Sequence, residues 1–232
     1  MARLLVHVEG QTEETFVNEI LATHLLACGY ESVGARLLGN ARRRSSRGGV
    51  RPWTAVRKDI VSHLKYDPGS IATTMVDYYG LPISGDKAWP GRAQAASLDV
   101  TKKAAAVEVA LSNDVSSEMG GNFDSNRFVP FVIMHEFEGL LFSDCTAFAR
   151  GVGLPNLEAS LRTIRDQFTT PEEIDDSPIA APSKRVEALI PGYEKALFGV
   201  AAALEIGREK MREACPHFRS WLTTLEARAA RA

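Results

Sequence analysis

Cysteine is scarce in this chain, and long apolar runs are missing. The only cysteines among its 232 residues are Cys28, Cys145 and Cys215, which are far apart and form no CxxC pair. Neither a disulfide framework nor a zinc site built on cysteines is therefore expected. No stretch approaches the roughly 20 apolar residues that span a bilayer, and the apolar run near the N-terminus is too short for a signal peptide. We expect a cytoplasmic protein that does not enter the membrane.

Several common catalytic signatures are also missing. The chain has no GxxxxGK[ST] loop for nucleotide hydrolysis and no GxGxxG dinucleotide-binding sequence. It has no GxSxG nucleophile sequence. His135-Glu136 begins like the HExxH motif of zinc peptidases, but position 139 is glycine rather than histidine. These absences argue against P-loop ATPases, dinucleotide-binding enzymes, serine hydrolases and zinc peptidases.

Composition and charge indicate a folded protein with one unusual segment. Hydrophobic residues make up 45% of the chain and charged residues 24%, which argues against global disorder. The net charge is −2, but residues 36–51, here called the basic segment, contain six arginines and no acid. Such a segment on an acidic body provides a local surface for phosphate groups, with a solvated loop as the alternative. The candidate nucleic-acid-binding residues are Arg42, Arg43, Arg44 and Arg47.

Hydrophobic periodicity predicts an α/β fold with a central, largely parallel sheet flanked by helices. The expected strands cover residues 3–8, 70–76 and 128–134. The expected helices cover residues 13–27, 53–64, 100–111, 184–190, 193–206 and 216–230. Residues 112–126 and 171–182 have the composition of loops. We expect an α/β core over residues 1–150 and a mostly helical region over residues 151–232, which either is separate or packs onto the core as one domain.

A carboxylate follows each of the three predicted strands. Glu9, Asp77 and Glu136 stand at or just beyond these strand ends. Ligands of parallel sheets bind beyond the carboxyl ends of the strands, so these side chains are expected to meet there. Oxygen ligands drawn from different segments suit Mg²⁺, with Mn²⁺ as a substitute. Glu13, on the first turn of the first helix, is a further candidate ligand, although compensation of the helix dipole also explains an acid there.

The ordered set of motifs resembles a known family. VEGQTEE at residues 8–14 is similar to the first motif of Toprim domains, especially those of OLD-type nucleases. VDYYGLP at residues 76–82 and HEFEGLLFSD at residues 135–144 are similar to the later acidic motifs. Together with PSKR and CPHF nearer the end, they resemble a bacterial Toprim-like family of unknown function, DUF4276, over nearly the whole chain. The resemblance implies a Toprim-like fold and metal-dependent cleavage of nucleic acid.

The chain departs from the wider Toprim pattern at one position. Tyr79 stands where that pattern has a second aspartate, so another carboxylate is needed if two ions bind. Glu136 and Glu138 are the candidates for this role. In an extended backbone both side chains point to the same face, whereas in a helix they diverge by about 200°. We therefore prefer Glu136 slightly over Glu138.

The expected activity is Mg²⁺-dependent endonucleolytic hydrolysis of phosphodiester bonds in DNA or RNA. Glu9, Asp77 and Glu136 are the candidate catalytic residues, and Glu13 and Glu138 complete the candidate metal ligands. Lys184, Arg185 and Lys195 are candidates for stabilising charge on the transferred phosphoryl group, or are solvated helix charges. The resemblance implies a separate ATPase partner in anti-phage defence. A non-catalytic subunit that binds nucleic acid or an ATPase, a metal-dependent nucleotidyl or phosphoryl transferase, and a homo-oligomer are left open.

Overall fold

A parallel β-sheet forms the centre of the protein. The computed structural model describes residues 1–38, 51–174 and 180–230. The strands are β1 (Arg3–Val8), β2 (Ser32–Leu37), β3 (Ser70–Asp77), β4 (Phe128–Val129) and β5 (Val132–Ile133). Their order across the sheet is β2-β1-β3-β4, and β5 pairs with the far end of β3. Every pairing is parallel, so all the carboxyl ends point to one edge.

Helices cover both faces of this sheet. They are α1 (Gln11–Phe16), α2 (Ala22–Ala27), α3 (Trp53–Tyr66), α4 (Arg92–Ala95), α5 (Val100–Met119), α6 (Phe137–Leu141), α7 (Cys145–Gly151), α8 (Glu158–Arg165), α9 (Pro182–Leu189), α10 (Val200–Ala214) and α11 (Pro216–Ala229). A π-helical turn at Val17–Leu21 joins α1 to α2, and a second at Lys195–Gly199 leads into α10. None of the helices in the described part of the chain is both long and apolar enough to cross a bilayer.

Two apolar clusters, one on each face, explain why β3 is buried along its whole length. The larger cluster joins β1 to the first helices and to the C-terminal helices, with Leu4, Phe16 and Leu222 among its members. The smaller cluster packs α3, α4 and α5 on the other face, with Ile60 and Val107 among its members. Because both faces of β3 are covered, its sequence is nearly all small or apolar, as expected for a central parallel strand.

The C-terminal helices pack directly onto the sheet. Trp221 of α11 stacks on Phe131 with ring centroids 4.4 Å apart, and its Nε1 donates a hydrogen bond to Thr73 Oγ1 in β3. Tyr30 Oη donates to the carbonyl of Leu225, also in α11. The larger apolar cluster therefore contains residues from both sides of position 150. The division of the chain at that position stays a prediction.

The α/β class and the parallel sheet are confirmed, but the bounds of several elements differ from the prediction, and the helix expected over residues 193–206 is a π-helical turn at Lys195–Gly199 followed by α10. The helix expected over residues 100–111 continues to Met119, because Leu111 and Val115 extend its buried stripe through polar neighbours. Residues 112–119 are therefore not loop. Strand β2 was not predicted, since this edge strand is partly exposed and contains Gly34.

The strand expected over residues 128–134 is divided into β4 and β5. Pro130 cannot donate a ladder hydrogen bond, and the backbone of Phe131 pairs with a side chain instead of with a strand. Thr74 Oγ1 accepts a hydrogen bond from Phe131 N (2.9 Å) and donates one to Phe131 O (3.0 Å). This side-chain bridge keeps the interrupted strand beside β3.

Candidate active site at the carboxyl edge of the sheet

The first two predicted carboxylates meet at the ends of neighbouring strands. Glu9 follows β1 directly, and Asp77 is the last residue of β3. The two strands are paired in parallel register, with Val8 opposite Met75, so both acids come to the same edge. The backbone N–H of Asp77 donates to Glu9 Oε2 at 3.4 Å. The structure thus brings these two sequence candidates into contact.

Glu13 reaches the same edge from the first turn of α1. Its Oε2 accepts a hydrogen bond from the backbone N–H of Gly10 at 3.0 Å. A Cβ atom at position 10 would lie 3.2 Å from this oxygen, so glycine leaves room for the carboxylate to fold back. Only 2% of Glu13 is exposed. Such burial is not expected of a residue that merely compensates a helix dipole at the surface.

Glu136 and Glu138 point to different partners. Glu136 has extended backbone angles just before α6, and its Oε2 accepts a hydrogen bond from Ser183 N at the start of α9. Glu138 lies in the first turn of α6 and is 1% exposed. Because the helix begins between them, the same-face arrangement of an extended segment does not apply. Glu138 reaches the Lys195 ammonium at 3.5 Å, whereas Glu136 acts on Glu9 and Glu138 through its charge.

Lys195 lies among these carboxylates. Its Nζ is 2.9 Å from Asp77 Oδ2, 3.1 Å from Glu13 Oε1 and 3.5 Å from Glu138 Oε2. The lysine comes from the π-helical turn before α10, and about a third of its side chain is exposed (33%). We call Glu9, Glu13, Asp77 and Glu138 the acidic cluster. Lys195 is its counter-ion.

Burial and charge shift the protonation equilibria of this cluster. Burial raises the pKa of Glu9, Asp77 and Glu138, and neighbouring carboxylates raise it further, while the Lys195 ammonium opposes the shift. Burial also disfavours the ammonium of Lys195, but the charges of Asp77, Glu138 and Glu13 outweigh it and hold the lysine pKa well above its usual value. Carboxylates crowded in this way favour a cation, because each additional positive charge relieves their repulsion.

The donor atoms of the acidic cluster are suited to a hard divalent cation. All are carboxylate oxygens, the ligand type that Mg²⁺ and Mn²⁺ prefer. Glu13 Oε1 and Glu138 Oε2 are buried, and each of them lies against the Lys195 ammonium. The Lys195 ammonium takes the central position, where it contacts three of the four acids. The residues therefore fit a divalent ion, provided that the ion shares or replaces the space of the ammonium.

A different group of side chains has its ligand atoms closer together. Within residues 1–38, 51–174 and 180–230, the one group of three histidine, cysteine or acidic side chains with ligand atoms within 4.8 Å of one another is His24, Cys28 and Glu226. It lies between α2 and α11, apart from the acidic cluster. Arg212 donates to both carboxylate oxygens of Glu226, at 2.6 and 2.9 Å. The arginine already neutralises the acid of that group.

The other predicted cationic residues do not join the acidic cluster. Lys184 forms an exposed ion pair with Glu187 at 2.7 Å. Arg185 donates through Nε to the carbonyl of Ala180, and its guanidinium lies over the ring of Phe168. Arg42, Arg43, Arg44 and Arg47 lie outside the described residues. Of the three candidates for charge stabilisation, the structure brings Lys195 alone to the acids.

Two aromatic residues flank the site. Tyr79, two residues after Asp77, stacks on His135 with ring centroids 5.4 Å apart. Tyr193 lies beside Glu138, and burial and the charge of Glu138 raise the pKa of its hydroxyl. Sequence reasoning missed Tyr193. It follows a Pro-Gly pair in a turn, and nothing in its local sequence indicates a position beside an acid more than fifty residues away.

Comparison with known proteins identifies a family but no activity. The sequence profile of the family described as "Domain of unknown function (DUF4276)" matches residues 8–226. This range contains all the residues of the acidic cluster and Lys195. No curated protein and no solved structure matches the chain. The match covers nearly the whole sequence, and the chain therefore belongs to the DUF4276 family.

Proposed function

We propose that the protein is a Toprim-type, divalent-metal-dependent nuclease that hydrolyses phosphodiester bonds in DNA or RNA. The observation that carries this proposal is the acidic cluster, in which carboxylates from three separate segments converge at the carboxyl edge of a parallel sheet. Glu9 and Asp77 contact each other there, and Glu13 and Glu138 are almost completely buried. Burying several carboxylates together is unfavourable unless a cation compensates them, so the arrangement indicates a cation-binding role.

The roles of the residues follow from their contacts. Glu9, Asp77, Glu13 and Glu138 would hold one or two Mg²⁺ or Mn²⁺ ions, with Glu136 just outside this set. A bound ion would lower the pKa of its water and stabilise negative charge on the phosphoryl oxygens. Lys195 holds the carboxylates in place and, when displaced from their centre, supplies a positive charge beside the reacting phosphate. Phe137 N donates to Asp77 Oδ1 at 2.9 Å and thereby orients that carboxylate.

Nucleic acid is the proposed substrate because of the basic segment. Four of its six arginines, Arg42, Arg43, Arg44 and Arg47, would supply charge for contacts to a phosphate backbone, which give affinity without reading sequence. The chain has no nucleotide-hydrolysing loop, which is compatible with a separate ATPase partner in anti-phage defence. The free thiols of Cys28, Cys145 and Cys215 support a cytoplasmic location for such a system.

One observation favours a second candidate function. Lys195 already contacts three acids of the cluster, so an internal cation compensates much of its charge. A protein with this ion-pair network could keep the acids as structure and serve as a non-catalytic subunit that binds nucleic acid or an ATPase. The two functions differ in whether the parent protein shows metal-dependent cleavage.

A cleavage assay on single- and double-stranded DNA and RNA distinguishes the nuclease from the non-catalytic subunit. We expect cleavage with Mg²⁺ or Mn²⁺ and none with EDTA. Glu9→Gln and Asp77→Asn each keep side-chain size and should lower the rate on the order of 10²-fold or more. The double variant should be little worse than either single variant, as for residues that act as a unit. Glu19→Gln, an exposed acid on the same helical segment as Glu13, is the matched control and should cleave normally.

Two results would contradict the nuclease proposal. No cleavage by the parent protein on any of these substrates would support the non-catalytic subunit. An active parent whose activity survives both Glu9→Gln and Asp77→Asn would remove the acidic cluster as the active site. Both variants should remain folded, since neutralising a crowded carboxylate relieves repulsion.

A further inference from the structure

Arg92 is an almost completely buried arginine that contacts Tyr78, the residue after Asp77 of the acidic cluster. It begins the short helix α4, and only 5% of it is exposed. The preceding Gly91 has φ +77°, and a Cβ atom there would lie 2.8 Å from Ala110 Cβ and 3.0 Å from Ala106 O. Only glycine permits this close approach to α5. The backbone around Arg92 is therefore fixed in one position by packing.

The contacts of Arg92 use only part of its guanidinium. Its Nε donates to the carbonyl of Tyr78 at 3.1 Å, and its Cζ lies 3.8 Å from the centroid of the Tyr78 ring. It pairs with no carboxylate in the part of the chain that the structure describes. Nη1 and Nη2 donate no hydrogen bond to the described residues, and they are not among the polar atoms sealed from solvent. Nη1 and Nη2 of this firmly held arginine therefore keep unused donor capacity.

A second arginine shows what a purely structural role looks like in this fold. Arg127 donates through Nε to Ser70 O at 3.0 Å. Its Nη2 donates to Leu64 O at 2.8 Å and to Asp67 O at 2.7 Å. These bonds join β3 to α3 at the amino end of the strand, and they come from Nε and Nη2 of the guanidinium. Arg92, at the carboxyl end of the same strand, has one such bond.

The position of Arg92 connects it to the proposed chemistry. Tyr78, which contacts it twice, immediately follows Asp77 of the acidic cluster. A guanidinium presents a planar fork of donors that matches two oxygens of one phosphate, and stacking on Tyr78 holds that fork in one plane. We propose that Arg92 binds a backbone phosphate of the nucleic-acid substrate next to the phosphodiester that is cleaved. This inference rests on the proposed function, because it assigns a substrate contact to the same edge of the sheet.

Chemical modification of the unaltered protein tests the inference without any variant. Phenylglyoxal modifies accessible arginines, and mass spectrometry measures the extent at Arg92. We expect an oligonucleotide, added in EDTA so that no cleavage occurs, to slow modification of Arg92 several-fold relative to sodium chloride of equal ionic strength. Inorganic phosphate should protect less. Unchanged modification with the oligonucleotide would overturn the inference, as would equal protection by inorganic phosphate, which indicates a site for a free anion.

Variants supply the second measurement. Arg92→Gln should weaken oligonucleotide binding in EDTA on the order of tenfold and reduce the slope of log affinity against log salt by roughly 0.7 to 0.9. Arg92→Lys keeps the charge but not the fork, so it should preserve the slope while binding remains weaker. The control is Lys87→Gln, which removes an exposed positive charge from the preceding segment and should change affinity less than twofold.

The salt slope separates a substrate contact from a structural role. If Arg92 had only a structural role, replacing it would lower the unfolding temperature without changing the number of phosphate contacts. An Arg92→Gln variant that folds and keeps the parental affinity and slope would therefore overturn the inference. Absence of cleavage by the parent protein tests the nuclease function instead, because all the binding measurements are made without an active metal.

Discussion

Lys195 Nζ lies 2.9 Å from Asp77 Oδ2, although the two residues are 118 positions apart in the sequence. The same ammonium lies 3.1 Å from Glu13 Oε1 and so joins α1, β3 and the turn before α10. In the described residues it is the cation in contact with the acidic cluster. Any divalent ion that binds these carboxylates must therefore compete with it or share its place.

Replacing Lys195 tests this competition. Lys195→Met removes the ammonium and leaves Glu13, Asp77 and Glu138 uncompensated. We expect a loss of about 1–2 kcal/mol in EDTA, less than the ~3–5 kcal/mol of a fully buried pair, because solvent reaches part of the lysine. Added Mg²⁺ should then raise the unfolding temperature more in the variant than in the parent. Thermal unfolding with and without Mg²⁺ measures both effects.

The matched control is Lys210→Met, which breaks an exposed ion pair with Glu213. Surface pairs of this kind contribute about 0–1 kcal/mol, so both unfolding temperatures should change little. If Lys195→Met were as stable as the parent and showed no larger response to Mg²⁺, the lysine would not be the counter-ion of a metal site.

Glu138 and Glu136 are expected to differ in function. Glu138→Gln should lower metal-dependent cleavage on the order of 10²-fold, because the Glu138 carboxylate faces the acidic cluster. Glu136→Gln should leave most of the activity but weaken the interaction with the start of α9, where a carboxylate contributes about 0.3–1 kcal/mol. Measuring the cleavage rate and the unfolding temperature of both variants tests this difference. The reverse pattern of activity would restore the preference for Glu136 that the sequence favours.

The basic segment provides a prediction about salt. Replacing Arg42, Arg43, Arg44 and Arg47 together by glutamine should weaken binding to DNA and RNA alike. Each lost phosphate contact should reduce the log–log salt slope by roughly 0.7 to 0.9. Fluorescence anisotropy titrations at several salt concentrations measure this slope. A slope equal to that of the parent would assign these arginines to solvated charge.

The burial of His7 leads us to predict that the protein loses stability in acid. Its ring is completely buried with both nitrogens unpaired, and burial, with the nearby charges of His63 and Arg36, lowers its pKa to about 3. The unfolded chain takes up the proton near pH 6.5, roughly the ordinary value. Between these two pH values the unfolded state binds more protons, so the free energy of unfolding falls as the pH falls. Above that window the effect is absent.

The variant His7→Leu isolates this contribution. It should flatten the dependence of unfolding temperature on pH between about pH 6.5 and pH 4, because a buried leucine cannot take up a proton. At neutral pH it should be neutral or stabilising, since an apolar side chain replaces two unsatisfied nitrogens. Carboxylate titrations are common to both proteins and cancel in the difference. Identical pH profiles would show that His7 is not buried as a neutral ring.

Local sequence was sufficient for much of the fold. Apolar runs ending in acids predicted β1 and β3, and helical spacing predicted α3 and α11, because burial on a particular face leaves a periodic trace in sequence. Sequence periodicity did not predict β2, because this edge strand is partly exposed and its residues do not follow the alternation of a buried strand. It also stopped α5 too early, since polar residues on its exposed side concealed a buried stripe that continues to Val115.

The sequence alone predicted that Glu9 and Asp77 lie at one edge, because parallel strands bring their carboxyl ends to the same side of the sheet. The pairing of β1 with β3 in the structure then brings the two acids into contact. Only the tertiary structure decided which further groups join them. The start of α6 separates Glu138 from Glu136, and the packing of a distant helical turn brings Lys195 rather than Lys184 to the acids. Arg92 depends in the same way on a glycine packed against α5. Contacts between segments far apart in the chain arise from packing, which leaves no periodic pattern around the residues concerned.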